Sequence, residues 1–193
     1  MTLQVNHLTK RFGEHLLFEN LTFSAAKPAV LWAPSGWGKT TLLRILLGLE
    51  KADGGTVTGV GRAAAVFQED RLCPQLSAVE NVLLVLPDGK ARRREVEADF
   101  ALLGMTGEAL TLPAARLSGG QKRRAALLRA VWARADTRLL DEPFTGLDPD
   151  AMEKAAALLN RRCAGAPVLL ATHDRAAIEA LGWPVLHLDQ MQR

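Results

Sequence analysis

Apolar residues recur along the chain with two different periods, which separate predicted strands from predicted helices. Leu3–Leu8 and Leu16–Ser24 alternate in polarity or are rich in strand-forming residues, and turn residues surround Gly13 between them, so they predict two antiparallel strands. Short apolar runs predict further, buried strands at Val30–Trp32, Ala63–Phe67, Arg138–Leu140, Val168–Ala171 and Val185–Leu188.

Helical spacing of apolar residues follows most of these strands. It predicts helices at Lys39–Leu49, Val79–Leu86, Arg92–Leu103, Gly119 to about Ala133, Asp150–Cys163 and Arg175–Leu181. The pair Gly54-Gly55 predicts a turn. Strands that alternate with helices favour a parallel sheet. We therefore expect one α/β domain over residues 1–193, with a small antiparallel β lobe and a short helical insertion at about residues 70–116.

Composition agrees with a packed, soluble domain. Of the 193 residues, 48% are hydrophobic and 23% are charged, which is ordinary globular usage. The net charge of +3 is spread along the chain, so we expect no nucleic-acid partner. Its densest cluster, Arg92-Arg93-Arg94, precedes Glu95, Glu97 and Asp99 at helical spacing, which predicts a solvated helix face with internal ion pairs.

Cysteine usage and hydropathy suggest a cytoplasmic protein. Cys73 and Cys163 have neither metal-binding nor redox spacing, so we expect free thiols in a reducing compartment. The first twenty residues carry charges and no signal-like apolar stretch. Since no apolar run approaches the roughly 20 residues that span a bilayer, any membrane role is expected to come through a partner.

A glycine-bearing loop lies between the strand at Val30–Trp32 and the next helix. Its sequence is Ala33-Pro34-Ser35-Gly36-Trp37-Gly38-Lys39-Thr40-Thr41. This context favours a phosphate-binding loop, in which backbone amides surround the phosphates, Lys39 reaches the outer two and Thr40 binds Mg²⁺. Taken alone, a chance glycine-rich turn is the alternative, because Ala33 replaces the leading glycine of the pattern. Trp37 is also bulkier than is usual here.

Four further motifs follow in a fixed order. They are Leu117-Ser118-Gly119-Gly120-Gln121, Leu139-Leu140-Asp141-Glu142-Pro143, Thr145-Gly146-Leu147-Asp148 and Ala171-Thr172-His173-Asp174. Together with the phosphate loop they resemble the ATP-binding cassette of ABC transporters, over nearly the whole chain. The resemblance implies a P-loop NTPase core that binds ATP and Mg²⁺ and hydrolyses ATP.

The resemblance also implies roles for individual residues. Glu142 matches the general base that polarises the attacking water, and His173 matches the switch histidine that contacts the γ-phosphate. Asp141 matches the acid that holds Mg²⁺ through water, beside Thr40. Gln68 matches the glutamine that touches Mg²⁺ or water and senses the membrane partner. The chain departs from the family at Arg138, which interrupts an otherwise apolar strand.

Two motifs of the resemblance concern the edges of the nucleotide. Phe12 matches the aromatic residue that stacks on adenine, and a core phenylalanine is the alternative. Ser118, Gly119, Gly120 and Gln121 open a helix, whose amides and dipole suit an anion. In this family they close over the ATP of the other subunit, which implies a head-to-tail homodimer with two-fold symmetry.

The remaining implications concern the assembly. Residues 68–72 and 77–82 resemble cassettes of nitrate, sulfonate and taurine importers. We therefore expect a peripheral protein on the inner face of the cell membrane, with an integral membrane permease and a solute-binding protein as partners in probable import. A soluble ABC ATPase of translation or DNA repair is the alternative function, and a cassette that binds ATP without hydrolysing it is the non-enzymatic one.

Overall fold

A computed structural model describes residues 2–191, apart from the side chain of Lys90. The strands are β1 Leu3–Phe12, β2 His15–Ala25, β3 Ala29–Trp32, β4 Gly54–Thr58, β5 Ala63–Val66, β6 Thr137–Asp141, β7 Val168–Thr172 and β8 Val185–His187. The helices are α1 Lys39–Leu46, α2 Ala78–Leu83, α3 Gly89–Leu102, α4 Gly119–Trp132, α5 Pro149–Cys163 and α6 Arg175–Leu181. Short 3₁₀ turns lie at Gly107–Leu110, Ala114–Arg116 and Leu188–Gln190.

The strands form two sheets. A five-stranded parallel sheet has the order β5-β6-β7-β3-β8, and a three-stranded antiparallel sheet has the order β2-β1-β4. The predicted α/β class and the small antiparallel lobe are therefore confirmed. The helices α2 and α3 lie between β5 and α4, within the segment predicted to be a helical insertion.

The parallel sheet is buried on both faces. Successive strand residues point to opposite sides, so Leu140 and Leu170 join a core with α2, α3, α4 and α5, whereas Leu139 and Leu169 join a second core with α1 and the antiparallel lobe. All five residues of both β6 and β7 are buried. This explains why β7 appears as a continuous apolar run rather than an alternating one.

Gly54-Gly55 was predicted as a turn, and this prediction is wrong. Both residues begin β4, which pairs with β1 through Thr9↔Gly54 and Asn6↔Thr56. Gly55 has a φ of 84°, and a Cβ atom there would lie 2.4 Å from the backbone oxygen of His7. The glycine therefore permits close approach of two strands.

The charged face of α3 was predicted correctly except at one residue. Arg92 pairs with Glu95 and Arg93 pairs with Glu97 on the exposed surface. Asp99 is buried instead, because it contacts Arg161 and Arg162 of α5 and accepts a hydrogen bond from Trp132 of α4. This carboxylate joins the inserted helix α3 to the rest of the domain.

Arg138, the charged residue in the predicted apolar strand β6, has a structural explanation. Its guanidinium lies buried at the carboxyl end of α4 and donates to the backbone oxygens of Ala130, Val131 and Ala133 at 2.9–3.2 Å. The last carbonyl groups of a helix have no partner within the helix. Arg138 therefore caps α4 from the strand that leads to Asp141.

Two smaller features concern the cysteines and the lengths of the helices. Cys73 and Cys163 are both free thiols, the first exposed and the second buried, and burial raises the pKa of the Cys163 thiol. Within residues 2–191 every helix is too short or too polar to cross a bilayer.

Candidate nucleotide site

Most of the predicted site residues meet at the carboxyl edge of the parallel sheet because of the strand order. The phosphate loop (residues 33–41) follows β3, Asp141 ends β6, and His173 follows β7, which lies between β3 and β6. The register aligns Trp32 with Thr172 and Asp141 with Ala171. Ligands of open α/β sheets bind at this edge.

The phosphate loop uses glycine where its backbone needs it. Gly36 and Gly38 have φ values of 83° and 85°, a region that favours glycine. Ala33, in contrast, has no positive φ, and its side chain is fully buried in the second core. The alanine at this position is therefore compatible with the loop, and Trp37 packs partly against the same core.

Gly38 immediately precedes α1 and lies close to the antiparallel lobe. A Cβ atom on Gly38 would lie 2.6 Å from the side chain of Leu17. No described side chain caps the start of α1, and its first turn contains no acidic residue. The amides and dipole at this helix N-terminus are therefore available to an anion.

Lys39 folds back over its own loop. Its Nζ donates to the backbone oxygens of Ala33 at 2.6 Å and Pro34 at 3.2 Å, and the residue is only 7% exposed. Burial lowers the pKa of Lys39, an effect that the nearby carboxylates of Glu142 and Asp141 oppose. A phosphate in the cleft would supply this cation with the charge partner that favours its protonated form.

Asp141 lies at the end of β6, next to the start of α1. The hydroxyl of Thr40 donates to Asp141 Oδ2 at 2.7 Å, whereas Oδ1 is buried and has no hydrogen-bond partner among the described residues. Burial raises the pKa of Asp141, the Thr40 hydrogen bond lowers it, and the charge of Glu142 raises it further. The unpaired oxygen and the Thr40 hydroxyl are the hard oxygen ligands that Mg²⁺ accepts.

Glu142 is held by both of its carboxylate oxygens. Thr172 donates to Oε2 at 2.9 Å, and Nδ1 of His173 lies 2.7 Å from Oε1. The backbone of Glu142 has a φ of 46°, which is uncommon outside glycine, and its amide donates to the oxygen of Ala171. The tip of β7 therefore fixes this carboxylate at the cleft.

These side chains line one cleft of about 490 Å³. The predicted residues that line it are Ser35, Gly36, Trp37, Gly38, Lys39, Thr40, Thr41, Gln68, Asp141, Glu142 and His173. Leu17, Arg123 and Thr145 line it as well and were not predicted. Thr145 carried a usable signal because it opens the Thr145-Gly146-Leu147-Asp148 motif, whereas Leu17 and Arg123 lie outside every predicted motif.

Phe12 lies outside this lining, at the end of β1. Its side chain is 49% exposed, which excludes the alternative of a core phenylalanine. The ammonium group of Lys10 lies 4.6 Å from the ring centroid. The exposed ring remains available for stacking.

Residues 118–121, which we call the signature turn, also lie outside the cleft of their own chain. Ser118 caps α4 by accepting from the amide of Gln121 at 3.3 Å, and the Gln121 side chain accepts from the amide of Ser118 at 2.9 Å. A Cβ atom on Gly119 would meet none of the described atoms within 4 Å. The turn therefore presents an open surface at a helix N-terminus.

Comparison with known proteins agrees with this geometry. The family model described as ABC transporter matches residues 19–145, about two thirds of the chain. An aliphatic sulfonates import ATP-binding protein of Nocardia farcinica is 38% identical over 98% of this chain, which spans 79% of that protein. A sulfate/thiosulfate import ATP-binding protein of Ralstonia nicotianae is 36% identical over 91% of this chain, which spans 53% of that protein.

A solved structure extends the likeness to three dimensions. The dimeric ATP-binding cassette MJ0796, in a post-hydrolysis state with ADP and phosphate, superposes with a TM-score of 0.81 at 25% identity, covering 96% of this chain and 94% of its own. The fold and the site together define a nucleotide-hydrolysing P-loop protein. The chain belongs to the ABC transporter family as an ATP-binding subunit, and it is an ATPase.

Proposed function

We propose that this chain hydrolyses MgATP with Glu142 as the general base and thereby powers import through a separate membrane permease. The observation that carries the proposal is the carboxylate of Glu142, held at both oxygens beside the phosphate loop. A general base must be held within hydrogen-bond reach of the water that it activates. The following steps describe what the residues of this chain do.

Binding begins at the phosphate loop. The amides at the start of α1 receive the phosphates, and Lys39 leaves the oxygens of Ala33 and Pro34 to contact the outer two. Phe12 stacks on the adenine ring. Because the glycines of the loop already have positive φ values, little backbone rearrangement accompanies binding.

Magnesium fits the pair formed by Thr40 and Asp141. Their oxygen atoms suit a hard cation, and the unpaired, buried Oδ1 of Asp141 supports a ligand at that point. Gln68 borders the same cleft and would complete the set through a water molecule. When bound, the ion neutralises charge on the outer phosphates.

Hydrolysis requires a water molecule aligned with the γ-phosphorus. Glu142 accepts a proton from this water as the new oxygen–phosphorus bond forms and the bond to ADP breaks, which yields ADP and inorganic phosphate. Thr172 fixes one oxygen of Glu142, and His173 contacts the other. The side chain of His173 is 61% exposed and free to approach the γ-phosphate.

The signature turn acts on the nucleotide of a second copy of the chain. It is exposed at a helix N-terminus and absent from the cleft lining of its own chain, which supports a head-to-tail homodimer. The dimeric state of the related cassette MJ0796 supports the same arrangement. Two ATP molecules would then lie between two chains.

Closure of the homodimer around ATP drives a permease from the cytoplasmic face of the membrane. The same system also uses a solute-binding protein. The two relatives described above are named for import but for different cargo, so the proposal is import without a chosen solute. The permease contact is the helical insertion that follows Gln68. Leu84, one of its exposed apolar residues, is 58% accessible, whereas Leu72 packs against the core.

The test is association with the permease. We expect the chain to co-purify with an integral membrane subunit, and Leu84→Asp to weaken that complex several-fold while basal ATPase activity is retained. Leu49→Asp is the matched control, because Leu49 is 53% exposed but lies after α1, outside the insertion. Crosslinks from the insertion that reach only ribosomal or DNA-repair proteins would replace transport with the soluble alternative.

A further inference from the structure

Arg123 links the helix of the signature turn to the segment that contains Gln68. It lies on α4, five residues after Ser118, and is only 8% exposed. Its Nη1 donates to the backbone oxygen of Phe67 at 2.7 Å, and its Nη2 donates to the backbone oxygen of Gln68 at 2.5 Å. Nη1 also lies 3.3 Å from a carboxylate oxygen of Asp70.

A second arginine of α4 supports the same segment. Arg129 donates from Nη2 to the backbone oxygen of Asp70 at 3.2 Å, and burial lowers its pKa. From the other side, the guanidinium of Arg71 lies 3.9 Å from the ring centroid of Phe67. The backbone from residue 67 to residue 70 is therefore held by side chains, and α4 supplies two of them.

The geometry of these contacts requires a guanidinium group. Two neighbouring carbonyl oxygens are reached by two different nitrogens of one planar fork, which a lysine ammonium cannot reproduce at the same positions. The fork is also buried, so its hydrogen bonds and its ion pair to Asp70 offset the loss of hydration. Replacement of Arg123 by lysine keeps the charge and removes the fork.

We propose that Arg123 is a positioning residue, which sets the place of Gln68 in the cleft from the helix that carries the signature turn. This inference rests on the proposed function, in which Gln68 borders this chain's own nucleotide and the signature turn faces the partner's. One side chain therefore joins the two ATP sites. A shift of α4 on binding the partner's ATP would move the backbone of Gln68 by the same route.

The test is a double-variant cycle on the full-length protein, with Arg123→Lys, Gln68→Ala and the combination. We expect Arg123→Lys to lower kcat about ten- to a hundredfold, the scale of an ångström-level misplacement, and to leave the KM for MgATP within about twofold, since ground-state binding by the phosphate loop is unchanged. The combined variant should be no slower than the slower single variant, because both changes remove the same interaction.

Arg138→Lys is the matched control, because Arg138 also donates from a buried fork to backbone oxygens but at the opposite end of α4. In a variant that combines Arg138→Lys with Gln68→Ala, the two fold-reductions in kcat should multiply. If Arg123→Lys is too unstable to purify, Arg129→Gln takes its place, because it removes only the contact to the backbone oxygen of Asp70. Arg129→Gln should give a smaller fall in kcat, and this fall should not multiply with that of Gln68→Ala.

The outcomes separate this inference from the proposed function. Unchanged kcat in Arg123→Lys, or effects of Arg123→Lys and Gln68→Ala that multiply, would overturn the positioning role while the ATPase mechanism stands. Unchanged kcat in Gln68→Ala would instead remove Gln68 from the mechanism and overturn both.

Discussion

Two helix N-termini of this protein are suited to anions, but they are prepared in opposite ways. The start of α1 follows Gly38, has no described side-chain cap, and lines a cleft with Lys39 and Asp141. The start of α4 is capped by its own side chains. The Ser118 side chain accepts from the amide of Gln121, and the Gln121 side chain accepts from the amide of Ser118. The first is ready for phosphate within one chain, whereas the second is not.

Under the proposed function, this difference would give two stages of binding. At α1 the amides need no rearrangement before they meet a nucleotide. At α4 an incoming phosphate competes with the Ser118–Gln121 hydrogen bonds, each of which contributes about 0.5–1.5 kcal/mol. In the proposed homodimer, a second chain that brings ATP would have to supply enough contacts to exceed this stabilisation, so the α4 end would bind a nucleotide already held by that chain.

The largest expected effect tests whether the site at the start of α1 contains the general base for hydrolysis. Glu142→Gln keeps a side chain that can still accept from Thr172 but cannot take the proton from water. We expect kcat to fall roughly 10²–10⁴-fold, the usual scale for a lost general base, while ATP binding persists. Phosphate release and equilibrium ATP binding measure the two quantities. Hydrolysis at the wild-type rate would take Glu142 out of its role.

A smaller effect tests whether the α4 end serves the partner. Ser118→Arg and Lys39→Ala should each be nearly inactive alone, because each damages both sites of a homodimer. In an equal mixture, half of the dimers are mixed and each has one intact site, so activity should recover to about a quarter of wild type. If Ser118→Arg alone retains full activity, the signature turn has no part in the site.

The smallest effect concerns the electrostatics of the site at the start of α1. The pKa of Asp141 is raised by burial, so the folded protein binds its proton more tightly than the unfolded chain does. Ionisation of Asp141 therefore lowers the free energy of unfolding. This destabilisation is absent below the pKa of Asp141 in the unfolded chain, grows as pH rises, and is complete above its raised pKa in the folded protein. Without nucleotide or magnesium, Asp141→Asn should therefore raise Tm by a few degrees at neutral pH and by less in acid.

Asp136→Asn is the control, because its expected change in Tm at neutral pH has the opposite sign. Hydrogen bonds from Arg62 lower the pKa of Asp136, so its stabilisation is present at neutral pH and is lost as pH falls. Its Tm should fall below wild type at neutral pH and return toward it in acid. With MgATP added, the wild-type Tm should rise and that of Asp141→Asn should not. Parallel Tm curves for wild type and Asp141→Asn would contradict the burial argument.

Much of this fold could be predicted because its strands are short apolar runs between helices with clear periodicity. Local sequence failed where a distant group decides the structure. Gly55 lies in a strand because β1 approaches its backbone, Asp99 is buried because α5 brings two arginines, and Arg138 fits a buried strand because α4 ends beside it.

The candidate site likewise contains residues that could be predicted from sequence and residues that could not. The phosphate loop, Asp141, Glu142 and His173 were recognisable from contiguous motifs, and the strand order brings them together. The supporting contacts were not recognisable, since Leu17 and Arg123 reach the cleft from separate elements. Their positions follow only from tertiary packing.

The left-handed backbone of Glu142 places folding and chemistry in opposition. For a residue other than glycine this conformation costs roughly 1–2 kcal/mol, and glycine would relieve it without disturbing the hydrogen bond from its amide to Ala171. In Glu142→Gly this gain is opposed by the loss of the contacts from Thr172 and His173, so selection for thermal resistance alone would not reject a change that abolishes turnover. Thermal resistance is thus a misleading guide to a working enzyme at this one position.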